Sequence, residues 1–110
     1  AVAIAPKDGA KAIAPAFETV VNGSYQPLAR PIFIYVNAKS LERPEVRDFV
    51  MFYMKNADKL VREVKYVPLP ADAYAHNIET LDKKVLGTKF GGENKIGLTI
   101  RELMKLEARL

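Results

Sequence analysis

The chain has 110 residues, a mass of 12.3 kDa and a net charge of +4, from 17 Lys+Arg against 13 Asp+Glu. With 49% hydrophobic and 27% charged residues, its composition is that of one globular domain with a modest core, not of a disordered or fibrous chain. The absence of cysteine and the presence of one histidine exclude disulfides, thiolate metal sites, a cysteine nucleophile and a multi-histidine metal centre within these residues.

In chain order, Val2 and Ile4 alternate with alanines up to Pro6, which predicts a short strand. This stretch lacks a basic leader segment, so it reads as sequence from inside a protein rather than as a signal peptide. Lys7-Asp8-Gly9 is turn chemistry. Pro15 to Val21 predicts a short helix stopped by Asn22-Gly23. Ser24 to Arg30 is irregular, because Pro27 and Pro31 prevent a helix. Ile32-Phe33-Ile34-Tyr35-Val36 is the strongest strand signal and predicts a central strand buried on both faces, with Phe33 in the core.

Pro44 suits the first turn of a helix whose apolar stripe is Val46, Phe49, Val50 and Tyr53. Asn56 is a candidate cap for a second, shorter helix with Leu60, Val61 and Val64 on one face and an Asp58–Arg62 pair on its surface. Tyr66 to Leu69 reads as a short extended segment between helices, closed by Pro68 and Pro70. A third helix carries Tyr74, Ile78, Leu81 and Val85, and Gly87 is placed to end it. Gly91-Gly92 and Gly97 mark a loop. Thr99 and Glu102 have the spacing of a capping box, with Leu98 and Leu103 as its staple and Leu103, Leu106 and Leu110 as the apolar edge of a last helix.

Candidate chemistry is sparse. The glycines from Gly87 to Gly97 match neither phosphate-loop pattern. His76 falls two positions from Tyr74 and Ile78, off their stripe, which suits a helix flank better than a general base. Ser24 and Ser40 sit in turn-like contexts, not in a nucleophile elbow. Glu42, Glu45 and Asp48 each have a neighbouring arginine and read as an exposed helix start. The basic surplus is interspersed with acidic residues, as in Glu42-Arg43 and Asp58-Lys59, so no nucleic-acid partner is expected. No apolar run reaches the ~18–20 residues that cross a bilayer. Neither a catalytic residue, a metal ligand nor a cofactor is expected in these residues.

Glu18 to Val36, ETVVNGSYQPLARPIFIYV, resembles the stretch "ET-x-x-x-G-x-Y-x-P-L-x-RP-x-FIYV" of the periplasmic phosphate-binding proteins of bacterial phosphate ABC transporters. Arg43-Pro44-Glu45-Val46-Arg47-Asp48-Phe49-Val50 and Tyr66-Val67-Pro68-Leu69-Pro70 resemble the same family in the same order. Gly87-Thr88-Lys89-Phe90-Gly91-Gly92 resembles its cyanobacterial-type members. Ala29 departs from the family, which often has serine there.

The resemblance implies an α/β fold, namely the C-terminal part of a two-lobed, type II periplasmic-binding-protein architecture. Residues 1–28 would form the end of the second lobe and the lobe connection, and residues 29–110 the C-terminal part of the first lobe. Gly23, Pro27, Arg30 and Pro31 become hinge candidates. In the family the oxyanion ligands are serine and threonine hydroxyls, helix N-terminal N–H groups, an arginine and an aspartate, all from earlier segments, so no ligand-binding residue carries over to this segment. The implied function is capture of inorganic phosphate in the periplasm and its delivery to a membrane permease. The implied consequence for the isolated fragment is self-association. The alternative is a stand-alone α/β protein-interaction module.

Overall fold

The computed structural model describes residues 1–91, 93, 95 and 97–106. Within them lie α1 (Phe17–Val21), a 3-10 turn (Ser40–Glu42), α2 (Pro44–Glu63), α3 (Ala71–Asp82) and α4 (Ile100–Lys105). The α/β expectation is overturned, because these residues form helices and no sheet, and a type II periplasmic-binding fold is not what they build. The strand expected at Ala1–Pro6 is reduced to one antiparallel bridge, with Ile4 and Ile13 exchanging hydrogen bonds of 3.0 and 2.8 Å around a turn at Lys7–Ala10.

The segment Ile32–Val36 is the main correction. It has no regular structure, and no backbone hydrogen bond joins residues 27–36 to any other described residue. A β-branched run favours an extended backbone only when a neighbouring strand, about 4.8 Å away, takes up its N–H and C=O groups. None of the described residues supplies that neighbour. Phe33 is therefore not a core residue. It is 39% exposed and rests edge-on against Phe90, with ring centroids 5.2 Å apart.

Helix α2 is one uninterrupted element of 20 residues, not two. Asn56 does not cap. Its side-chain amide donates to the Phe52 carbonyl at 2.8 Å, one turn back, which an asparagine inside a helix can do without stopping it. The buried stripe also differs from the expected one. Val50 and Ala57 are buried, with Val46, Met54 and Val61 half-buried on the same line, while Phe49 and Tyr53 are exposed. Helix α3 packs on α2, and Arg47 near the start of α2 donates to Asp82 at the end of α3 at 2.6 Å, so the two form an antiparallel hairpin. Between them, buried Pro68 and the Leu69 N–H, which donates to the Tyr74 hydroxyl at 3.2 Å, hold the connection. Ala73 of α3 and Leu103 of α4 complete the buried set.

Both long helices end on a lysine in the left-handed region, Lys65 with φ 61° and Lys84 with φ 52°. At each end two backbone bonds close the cap: Tyr66 to Val61 and Lys65 to Arg62 after α2, Val85 to Thr80 and Lys84 to Leu81 after α3. Gly87 thus lies beyond the helix it was expected to end, and Val85 is outside the helix and exposed. At α1 the expectation holds: Asn22 is the C-cap and Gly23, with φ 77°, takes the left-handed position. The Gly92 and Leu110 readings lie outside the described residues.

Two outcomes follow from this geometry. Lys65→Gly and Lys84→Gly should each raise stability by about 0.5–1 kcal/mol, since relief of the left-handed strain exceeds glycine's greater unfolded-state freedom. Thermal and urea unfolding measure it, and a loss at both sites would show that the lysine stems contribute packing. Phe33→Ala should cost about 1–2 kcal/mol, the scale of one half-exposed aromatic pair, and not the ~3–5 kcal/mol of a core phenylalanine.

Candidate functional site

The four hinge candidates sit on the run that leaves α1. Gly23 is held against α4: a Cβ built on it would lie 2.9 Å from the Thr99 methyl group. The Gln26–Pro27 peptide is cis. Arg30 is exposed and Pro31 half-buried just before the irregular segment Ile32–Val36. Sequence reasoning found Gly23 from its place after Asn22, but it could not see the close approach to Thr99.

An open groove of about 470 Å³ lies between the entry to α1 and the exit of α2, lined by Pro15, Phe17, Val20, Arg62, Lys65 and Tyr66 among others. Its cationic wall is largely spoken for. The Arg62 guanidinium lies 5.0 Å from the Phe17 ring centroid and makes a forked bond with Asp58 at 3.1 and 3.2 Å. That Asp58 bond raises the Arg62 pKa above its ordinary value. No carboxylate or imidazole is among the residues that line the groove, whose ionisable members are Arg62, Lys65 and Tyr66. The Phe17–Arg62 pairing spans 45 positions and left no signal in the sequence.

His76 is half-buried on the flank of α3, as its spacing suggested, and its Nε2 lies 3.3 Å from the Lys89 ammonium. Lys89 also donates to the Leu106 carbonyl at 2.7 Å, so one side chain joins α3 to the end of α4. That is a structural tie. Ser24 donates to the Thr19 carbonyl at 3.3 Å, and the Ser40 N–H donates to the Asn37 side chain at 3.0 Å, both within turns. Among the described residues, no group of three or more His, Asp or Glu side chains could hold a metal ion.

Anion capture in a folded chain commonly uses helix N-termini, where backbone N–H groups and the helix dipole converge. Here each helix fills that position itself. Every first turn carries a carboxylate: Glu18 in α1, Glu45 in α2, Asp72 in α3 and Glu102 in α4. Glu45 is held below the usual carboxylate range first by its own backbone N–H and then by Arg43, which donates at 2.8 and 2.5 Å. Asp72 accepts from the Ala73 N–H at 3.1 Å. Glu102 accepts from the Thr99 N–H and hydroxyl, both at 2.8 Å, and these two bonds, the backbone one foremost, lower its pKa. The Thr99 hydroxyl in turn accepts from the Glu102 N–H at 3.3 Å, completing the box that the T-x-x-E spacing predicted. An oxyanion approaching any of these ends meets a negative charge already in place.

With this geometry in hand, the relatives are informative. The chain is a homologue of proteins called SphX. It is 45% identical over 107 residues to Protein SphX of Synechococcus elongatus, a match covering 97% of this chain and 32% of the relative. It is 46% identical over 107 residues to SphX of Synechocystis sp., covering 96% of this chain and 32% of the relative. A more distant homologue is the phosphate-binding protein PstS of Staphylococcus haemolyticus, 35% identical over 77 residues, 69% of this chain and 24% of the relative. The chain spans about a third of the length of the SphX relatives it matches. No protein-family model and no solved structure matches it. No helix among the described residues is long and apolar enough to cross a membrane.

The capping box gives a pH outcome. Because the folded-state pKa of Glu102 is depressed, its contribution is complete above the ordinary glutamate value of 4.5 and is lost as pH falls through the lower folded value. Amide protection factors at Ile100–Leu103 should therefore fall as the pH drops below 4.5, and Glu102→Gln should remove that step. Unchanged protection across that window would show that the box does not hold α4.

Proposed function

We propose that this chain is a segment of a phosphate-binding protein of the SphX and PstS kind. The whole protein captures inorganic phosphate in the periplasm and hands it to the membrane permease of an ABC transporter, with no chemical reaction. The observation that carries this reading is the alignment with SphX along nearly the whole chain, joined to the weaker alignment with a protein named for phosphate binding. The self-capped helix ends support the further point that the phosphate ligands lie outside these residues.

The division near residues 28 and 29 belongs to the same proposal, with Gly23, Pro27, Arg30 and Pro31 in the connection that moves when ligand binds. The absence of backbone hydrogen bonds from residues 27–36 to other described residues favours a connector there. The contact of Gly23 with Thr99 ties its first residue to α4, so any movement would centre on Pro27 to Pro31.

Two titrations with inorganic phosphate test the function. Calorimetry on the chain alone should show no saturable site with a Kd on the order of 1 μM, only a weak response that salt removes. A chimera in which the chain replaces the matching 107 residues of Synechococcus elongatus SphX should bind phosphate saturably. A tight site on the chain alone would overturn the assignment of ligands elsewhere. A cooperatively folded chimera that binds no phosphate would overturn the functional reading.

A further inference from the structure

One tie among the described residues depends on the position of a proton. The Lys89 ammonium lies 3.3 Å from His76 Nε2 on α3 and donates at 2.7 Å to the carbonyl of Leu106, the C-cap of α4. An ammonium has three donors and no acceptor. The ring nitrogen that it faces must therefore offer a lone pair. The contact is a hydrogen bond only when the His76 ring is neutral, with its proton on Nδ1. Charging the ring places a proton on Nε2. The contact then becomes two cations 3.3 Å apart, neither of which can accept.

The other charged groups near the ring are engaged elsewhere. On α3, Glu79 lies one turn further on and is held by Lys83. Its pKa is lowered first by the Lys83 hydrogen bond and least by the His76 charge. Asp72, one turn back, accepts from the Ala73 N–H. On α2, which packs against α3, Arg47 is held by Asp82. On α4, Glu102 is taken up by Thr99. Among the described residues no carboxylate bonds the ring, so none is in place to offset the repulsion from Lys89.

Helix α4 is the element with most to lose. It has six residues, too few to persist without help from packing or side chains. Its last turn closes through the Leu106 N–H, which donates to the Leu103 carbonyl at 3.1 Å. The Lys89 bond to the Leu106 carbonyl fixes that same turn against α3.

We propose that His76 and Lys89 form a proton-operated latch on α4. With the ring neutral, Lys89 bridges α3 to the last turn of α4. When the ring takes up a proton, the bridge opens and that turn loosens. The stabilisation belongs to the neutral ring, so it is present at high pH and lost on acidification. The latch depends on neither the family of the chain nor its ligand.

His76 is the single histidine, so its ring nitrogens give unambiguous NMR signals in the 110-residue chain. At pH ~8 they should show Nδ1 protonated and Nε2 bare. Protection factors of the Leu103 and Leu106 amides should fall about two- to tenfold between pH ~8 and ~5, the scale of one ordinary hydrogen bond. This step lies above the one due to Glu102. His76→Gln keeps an acceptor that does not titrate, so the protection should stay and the step should vanish. Lys89→Met should lower the protection at both pH values and also abolish the step. A step from any other group, the terminal amine included, would survive in His76→Gln. A neutral ring protonated at Nε2 would overturn the proposal. So would a step that survives in either variant, or wild-type protection that is the same at both pH values.

Discussion

Helix α2 carries more apolar surface than the rest of the described chain covers, and most of the structure follows from that imbalance. Its apolar residues occupy two adjoining lines. The first, through Val50 and Ala57, faces the hairpin partner α3 and is buried. The second, through Phe49, Phe52 and Leu60, holds the larger side chains and meets water. A helix apolar over so wide an arc is ordinarily an internal helix, with neighbours on more than one side. Here α3 is the long helix packed against it, and two of the three buried residues in the two helices are alanines. Full burial of one phenylalanine or leucine contributes about 1.5–3 kcal/mol, so leaving several of them wet forgoes a sum comparable with the net stability of a domain.

The ends of the helices are better determined than their faces. Every helix has an acidic first turn, and both long helices close with a complete pair of backbone bonds on a left-handed residue. These are local devices, needing only a few consecutive residues. Two longer ties add to them: Lys89 between His76 and the Leu106 carbonyl, and Gly23 against the Thr99 methyl. Both join α4 to the rest, and α4 is a helix of only six residues that would not persist unaided. The Arg47–Asp82 pair is roughly half-exposed on both sides and adds little beyond direction, with exposed pairs of this kind contributing about 0–1 kcal/mol.

The sequence was legible where structure is local and misleading where it depends on partners. Gly23 after Asn22, Pro44 at the first turn, the Thr99–Glu102 box and the turn at Lys7–Gly9 all appear as read, because each is decided within about four residues. Asn56 misled because its amide has two uses, and only the surrounding helix decides between capping forward and bonding back to Phe52. Gly87 misled because Lys84 accepts a left-handed backbone that glycine was expected to supply. The α/β reading rested on Ile32–Val36, and that run has no regular structure and no sheet partner among the described residues. A single segment records that it can pair, and says nothing of whether a pairing strand is at hand. Of the candidate site, the Phe17–Arg62 groove and the Lys89 tie were not readable, since they join residues far apart in sequence.

The same separation between local and distant determinants governs what the helix ends among the described residues offer to an anion. A desolvated oxyanion needs donors left unsatisfied by their own chain and aimed at one point. The local devices that stabilise these helices do the opposite, because Glu45, Asp72 and Glu102 each take up backbone donors in the first turn. Stability of the helix ends and capture of an anion at those ends are therefore competing uses of the same N–H groups, and in this chain the carboxylates hold them. Among the described residues the exposed surface includes the apolar outer face of α2 and the side chains from Ile32 to Tyr35. Apolar surface of that kind is covered by polypeptide rather than by an ion.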